Sequence, residues 1–143
     1  MKKNTMKITK LISVFILASV LLVACGGGGG GASGATTVNI TLTDFVISSS
    51  LTDFKVGVPY HFVVKNNATV SHEIWIDPVD PNLTPDTAKT QGLAGLGQDI
   101  LTPGSTQSFD YTFTKAYPSG AYEFACHLPG HYEAGMHVGI TVQ

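Results

Sequence analysis

From residue 35 onward the chain is a succession of short runs in which apolar and polar side chains alternate. Val38, Ile40 and Leu42 are separated by Asn39 and Thr41. A period of two sends successive side chains to opposite faces of an extended strand, so this run predicts one apolar face and one wet one. Residues 60–64 are aromatic and β-branched and follow the turn signal Gly57-Val58-Pro59, which predicts a second strand. The same reasoning predicts strands at 45–47, 74–76, 108–113, 121–126 and 138–142. Pro103-Gly104-Ser105 and Pro118-Ser119-Gly120 supply turns ahead of two of them. No long stretch repeats apolar residues at helical spacing. The expectation is an all-β, Greek-key β-sandwich of about seven to eight strands occupying 35–143.

One segment breaks the rhythm. Residues 78–98 carry Pro78, Pro81 and Pro85, then a polar stretch at 86–96 with room for one short helix. This insertion is longer than a hairpin needs, so it reads as either a surface excursion or a functional flap.

The N-terminal part has a different character. Lys2, Lys3, Lys7 and Lys10 precede an apolar run at 11–23 that is interrupted by Ser13 and Ser19. The run falls short of the roughly 20 apolar residues of a membrane-spanning helix, so residues 1–24 read as a secretory signal. Leu22-Val23-Ala24-Cys25 resembles the lipobox of bacterial lipoproteins. That resemblance implies that Cys25 becomes the lipid-modified first residue of the mature chain. Each buried methylene of an acyl chain is worth about 0.8 kcal/mol, so several chains on one cysteine hold a domain at a membrane. Residues 25–34 then form a glycine-rich linker. Its last nine residues span roughly 16 Å as a random coil. The expected location is beyond the inner membrane, lipid-anchored on its periplasmic face or at the cell surface.

The chemistry-bearing residues cluster near the C-terminus. Cys126, His131 and Met136 stand in a Cys-x4-His-x4-Met arrangement directly after a strand. A thiolate, an imidazole and a thioether within one loop suit copper, and a His2Cys site with a weak axial Met is the blue-copper arrangement. The arrangement needs a second histidine. His72 lies where a strand pair turns, distant in sequence and near in a sandwich.

With these residues in view, 35–143 resembles the cupredoxins. The ligand spacing is more like that of rusticyanin and the auracyanins than that of plastocyanin or azurin. The resemblance implies one type 1 copper per chain, with His72, Cys126 and His131 as strong ligands and Met136 as the axial one. It also implies an electron carrier rather than an enzyme. Asn66-Asn67-Ala68 and Ala134-Gly135-Met136 match the family pattern, which places Asn67 among the residues supporting the site. Many cupredoxins have Asn or Ser after the first histidine, where it helps fix the cysteine loop, whereas this chain has Glu73. By the same resemblance the edge of His131 lies near the surface, and Leu128 and Pro129 are expected to form a small apolar docking patch.

Alternatives remain beside this reading. Taken singly, a Cys or a Met is often core filler, which leaves a metal-free sandwich. Copper delivery or resistance could use the same four ligands. A Cys–His hydrolase would need a base beside Cys126, and His127 is badly placed because adjacent strand residues face opposite ways. His127 also resembles the residue that follows the cysteine in multicopper oxidases, but there is no His-x-His pair to build their cluster. His127 and His137 therefore read as solvated or supporting residues.

Charge sharpens the choice of partner. The chain has no arginine, which disfavours nucleic acid. Its formal charge is −2, but four of the eight lysines lie in the signal, so the mature chain carries 4 − 10 = −6. An acidic monomer suits a basic redox partner, such as a c-type cytochrome or a membrane oxidoreductase. The two cysteines are not expected to pair, since one is assigned to lipid and the other to copper.

Overall fold

The computed structural model describes residues 34–143. The signal at 1–24, Cys25 and most of the glycine linker lie outside the described residues.

The first alternating run becomes β1 (Thr36–Thr43), with Val38, Ile40 and Leu42 buried and the intervening residues turned away from the core. β1 pairs antiparallel with β2 (Val46–Ser49) and parallel with β4 (Pro59–Asn66). In β4, Tyr60, Phe62, Val64 and Asn66 face inward. β7 (Thr106–Thr112) closes this four-stranded sheet antiparallel to β4. The second sheet has five strands. Its order is β3 (Asp53–Phe54), β9 (His137–Val142), β8 (Tyr117–Ala125), β5 (Ile74–Pro78) and β6 (Ala94–Leu96).

The two sheets enclose an aromatic core. Phe54 sits 5.1 Å from Phe113, 5.8 Å from Phe62 and 6.0 Å from Phe124, centroid to centroid. Full burial of each ring stabilises the sandwich by about 1.5–3 kcal/mol, and the edge-to-face and tilted contacts add to that. Cys126, Leu128 and Met136 belong to the same buried cluster. The core therefore runs directly into the loop that follows β8.

Nine strands form among the described residues, the two unexpected ones being very short. β3 is only two residues long, and β6 lies inside the 78–98 insertion. The insertion does hold a short helix, α1 (Pro85–Gln91), but it ends earlier than 96. Thr84 caps it, with Thr87 N–H donating to Thr84 Oγ1 at 3.3 Å and Thr84 N–H donating to Thr87 Oγ1 at 2.7 Å. Pro85 at the first helical position needs no hydrogen-bond partner for its nitrogen. After Gly92 the chain returns to the sheet edge as β6, paired with β5. Gly95 lets it do so, because a Cβ there would strike the Ile74 carbonyl oxygen and come within 2.5 Å of the Trp75 ring.

The insertion packs on the outer face of the five-stranded sheet at β5. There Trp75, Leu83 and Ala88 form a second buried apolar cluster. This face also carries Asp77, from β5, and Glu123, from β8, both buried. No helix among the described residues is long and apolar enough to cross a membrane.

Candidate metal centre

Two elements bring the expected ligands together. His72 ends the loop after β4 and is fully buried, with its N–H donating to the Leu101 carbonyl at 3.1 Å. Asn66 braces this loop. Its Nδ2 donates to the carbonyls of Val70 and Leu101 at 2.8 Å each, and its Oδ1 accepts from Ala68 N–H at 2.8 Å. The sequence reading placed this supporting role on Asn67, which is exposed. The link recorded for Asn67 is through its backbone, to Leu42 at 2.8 Å. Continuation of the β4 alternation decides between the two neighbours, since Asn66 falls on the inward face and Asn67 on the outward one.

Cys126, His131 and Met136 come from the loop between β8 and β9. Two tight turns set their spacing. His131 N–H donates to Leu128 at 2.9 Å across Gly130 (φ 81°), and Gly135 (φ 95°) donates to Tyr132 at 2.9 Å. Each ligand after the first thus follows a glycine in the left-handed region, which side chains with a Cβ rarely adopt. Met136 is fully buried, its N–H donating to His131 O at 3.0 Å and its carbonyl accepting from Cys126 N–H at 3.1 Å. The loop is closed on itself before any ion is added.

His72 Nδ1 lies 3.2 Å from His131 Nδ1, which lies 3.4 Å from Cys126 Sγ. The three donor atoms all lie within 4.8 Å of one another. These separations suit an ion about 2 Å from each donor. Burial, and next the proximity of His131, pull His72 below the ordinary histidine pKa, so at neutral pH its ring offers a lone pair. Burial pushes the Cys126 thiol up to about 11, against backbone hydrogen bonds at Glu73 and Leu128 that pull it down. A fully buried thiol held protonated is a poor nucleophile, which removes the basis of the hydrolase alternative.

The supporting residues differ in part from expectation. Glu73, the departure from the family pattern, is buried and accepts a 3.0 Å hydrogen bond from the His127 backbone N–H. A carboxylate thus ties the cysteine loop. His127 is turned away from Cys126, and its Nε2 lies 2.9 Å from Asp77 Oδ2, both side chains fully buried. Leu128 is not a docking residue. It is 8% exposed and packs in the core, because the turn to His131 folds its side chain inward, whereas Pro129 is exposed.

The sequence reading missed Phe45, which it counted as strand. Phe45 occupies the turn between β1 and β2 with φ 61°, a costly conformation for a residue with a Cβ. The residue is 46% exposed, and its ring stands edge-on to His131, with centroids 5.3 Å apart. No local sequence signal announces a left-handed phenylalanine.

Two sheets joined by a His2Cys set with a buried methionine define a mononuclear type 1 copper protein. Residues 36–143 match the copper binding proteins of the plastocyanin/azurin family, and the chain belongs to that family. The type 1 site comprises His72, Cys126, His131 and Met136.

Solved structures share the fold. Auracyanin from Roseiflexus castenholzii is 24% identical with TM-score 0.57, covering 77% of this chain and 99% of its own. Rusticyanin from Thiobacillus ferrooxidans is 18% identical with TM-score 0.53, covering 76% and 79%. A curated relative, the copper-resistant cuproprotein CopI of Pseudomonas aeruginosa, is 48% identical over 44 residues, which are 31% of this chain and 23% of that protein.

Proposed function

We propose that this protein is a lipid-anchored carrier of single electrons between redox proteins at a bacterial membrane surface or in the periplasm. Copper held by the four ligands would supply a one-electron couple. The observation that carries the reading is the closed ligand loop. Met136 bonds both Cys126 and His131 through its backbone, and Asn66 fixes the approach to His72. Ligands already held in place need little rearrangement when the charge at their centre changes, which is what rapid exchange requires.

Phe45, with Val46 next to it, supplies exposed apolar surface beside His131, where the sequence reading had placed Leu128. The acidic mature domain favours a basic partner such as a c-type cytochrome, with association that weakens as salt rises. The purified holoprotein should show an intense visible sulfur-to-copper band and a type 1 EPR signal, both lost in Cys126→Ala. A colourless Cu(II) form would overturn the proposal.

Copper delivery or resistance is the second reading, favoured by the 44-residue match to the copper-resistant cuproprotein. Transfer of Cu(I) from the protein to an acceptor chelator faster than electron exchange with a cytochrome would select it.

A further inference from the structure

The direction of β1 fixes where the domain is tied. Its first residue, Thr36, pairs with Tyr60, which pairs with Tyr111. Its last, Thr43, leads into the turn that carries Phe45 beside His131. The described chain therefore enters the sandwich at the end opposite the copper ligands. The five-stranded sheet has the same polarity. β9 runs from His137, paired with Ala125 beside the ligand loop, to Val142, which pairs with Phe54 and Tyr117. Lys55 and Val56 follow Phe54 at that far end. There Val56 N–H donates to the Gln143 carbonyl at 2.8 Å, and Gly57 N–H to the Phe113 carbonyl at 2.9 Å. Lys55 N–H donates to Tyr60 Oη at 2.8 Å, which joins this turn to the first row of the four-stranded sheet.

The two ends differ in charge. The connections at the copper end, 43–46, 66–73, 97–105 and 126–136, contain Asp44, Glu73, Asp99 and Glu133 and no lysine. The two turns at the far end, 53–59 and 113–120, contain Lys55 and Lys115 against a single acid, Asp53. Nearby Asp110 is engaged by His61 Nδ1 at 2.6 Å, and Asp80 by Asn82 N–H at 2.9 Å. Lys115 Nζ lies 5.2 Å from the centre of the Tyr117 ring, so its stem follows apolar surface while its charge stays at the rim. Val56 is exposed beside these lysines. Length acts in the same direction as charge. β1 has eight residues, so the sandwich is about 23 Å deep along it. Nine residues of the composition of 26–34 span roughly 16 Å as a random coil, less than that depth. A lipid on Cys25 brings the Lys55 and Lys115 end to the bilayer without stretching the linker. Bringing His131 to the same bilayer requires the linker to run back past the whole domain.

We propose that the end of the sandwich formed by 55–59 and 113–120 is a membrane-resting face, with Lys55 and Lys115 on anionic phospholipid headgroups and Val56 at the headgroup boundary. The proposal rests on the lipid-anchored reading. Anionic headgroups attract the lysine end and repel the acidic copper end, so charge and tether favour the same orientation. The edge formed by Phe45 and His131 then points away from the anchoring bilayer. A redox partner that uses this edge reaches it from the aqueous side. The partner that fits is therefore a soluble protein or a domain projecting well clear of the membrane, not a group embedded in the same bilayer.

The test uses the full lipidated chain, copper-loaded and reduced, in vesicles of phosphatidylcholine and phosphatidylglycerol that carry a nitroxide on a lipid headgroup. A fluorophore is attached at the far end through Val56→Cys or at the copper end through Ile100→Cys, both positions being exposed. The headgroup nitroxide should quench the fluorophore at 56 several-fold more than the one at 100. Lys55→Glu combined with Lys115→Glu should at least halve that contrast. If Val56→Cys fails to fold, as read from its oxidised copper band, Ser119→Cys in the neighbouring turn replaces it. Equal quenching at the two ends, or stronger quenching at 100, would overturn the resting face, as would a contrast indifferent to the lysine substitutions. Flotation with the vesicles should be lost in Cys25→Ser. If it is not, or if the parent chain does not float, the lipid-anchored reading itself fails.

Discussion

The raised pKa of the Cys126 thiol makes metal loading a proton-release reaction. The metal-free protein holds this sulfur fully buried, and its pKa stands at about 11. At neutral pH about one site in ten thousand then has a thiolate ready, since the gap of four units corresponds to four factors of ten. Binding copper requires the thiolate, so the ion must displace the proton. The displacement costs about 5 kcal/mol of apparent affinity at neutral pH. His72 adds no such cost there, because its lowered pKa leaves it neutral.

As pH rises toward about 11, the thiol gives up its proton more readily and apparent affinity climbs about tenfold per pH unit. The climb should stop above the thiol pKa. Competition against a chelator whose own pH dependence is known measures the slope, and proton release into a weakly buffered solution counts the protons independently. Between about pH 8 and pH 10 the thiol should contribute one proton per ion. A flat affinity profile with no proton released would refute the reasoning, because it would mean that the thiolate is already formed in the empty site.

Three further outcomes follow from individual contacts. Phe45→Gly removes a left-handed residue with a Cβ, so stability should rise by about 1 kcal/mol while electron exchange with a cytochrome slows, and thermal unfolding read beside exchange rates checks both. Gly95→Ala places a Cβ against the Ile74 carbonyl and the Trp75 ring, so a loss of about 2 kcal/mol is expected in denaturant unfolding, with the copper band unchanged. Asp77 is pushed up by burial to about 6, against the pull of the His127 hydrogen bond, so the folded chain holds a proton that the unfolded chain releases from near 3.8 upward. Its contribution is therefore full at low pH and lost as pH rises through about 6. The stability of Asp77→Asn relative to the parent should improve across that window, and a constant difference would contradict the linkage.

Much of this molecule was legible because its two main signals are local. Alternation with a period of two located seven strands, and the metal-binding loop carries three of its four ligands within one segment whose spacing is fixed by Gly130 and Gly135. His72 was found because a turn between strands placed it at the right end of the sandwich. What escaped depends on contacts made across the fold. β3 has two residues and no pattern of its own; it exists because Phe54 packs against Phe62, Phe113 and Phe124. Leu128 is expected at the surface only because the resemblance puts the edge of His131 there among apolar residues, and the turn closed by His131 folds it inward. Phe45 takes its positive φ in the two-residue turn that joins the paired residues Thr43 and Val46, a position where a phenylalanine is not expected.

The 78–98 insertion joins these observations. It packs over Trp75 on the outer face of the five-stranded sheet, where Asp77 and Glu123 are buried as well. Covered, the carboxylates lose hydration and must find partners, and they find His127, Tyr132 and His137. All three belong to the segment that also supplies Cys126, His131 and Met136. These hydrogen bonds help hold the ligand loop from the side opposite the core. Glu73 makes the same kind of bond from the end of the neighbouring loop, to the His127 backbone. The cysteine loop of this protein is thus fastened by acids on both of its sides.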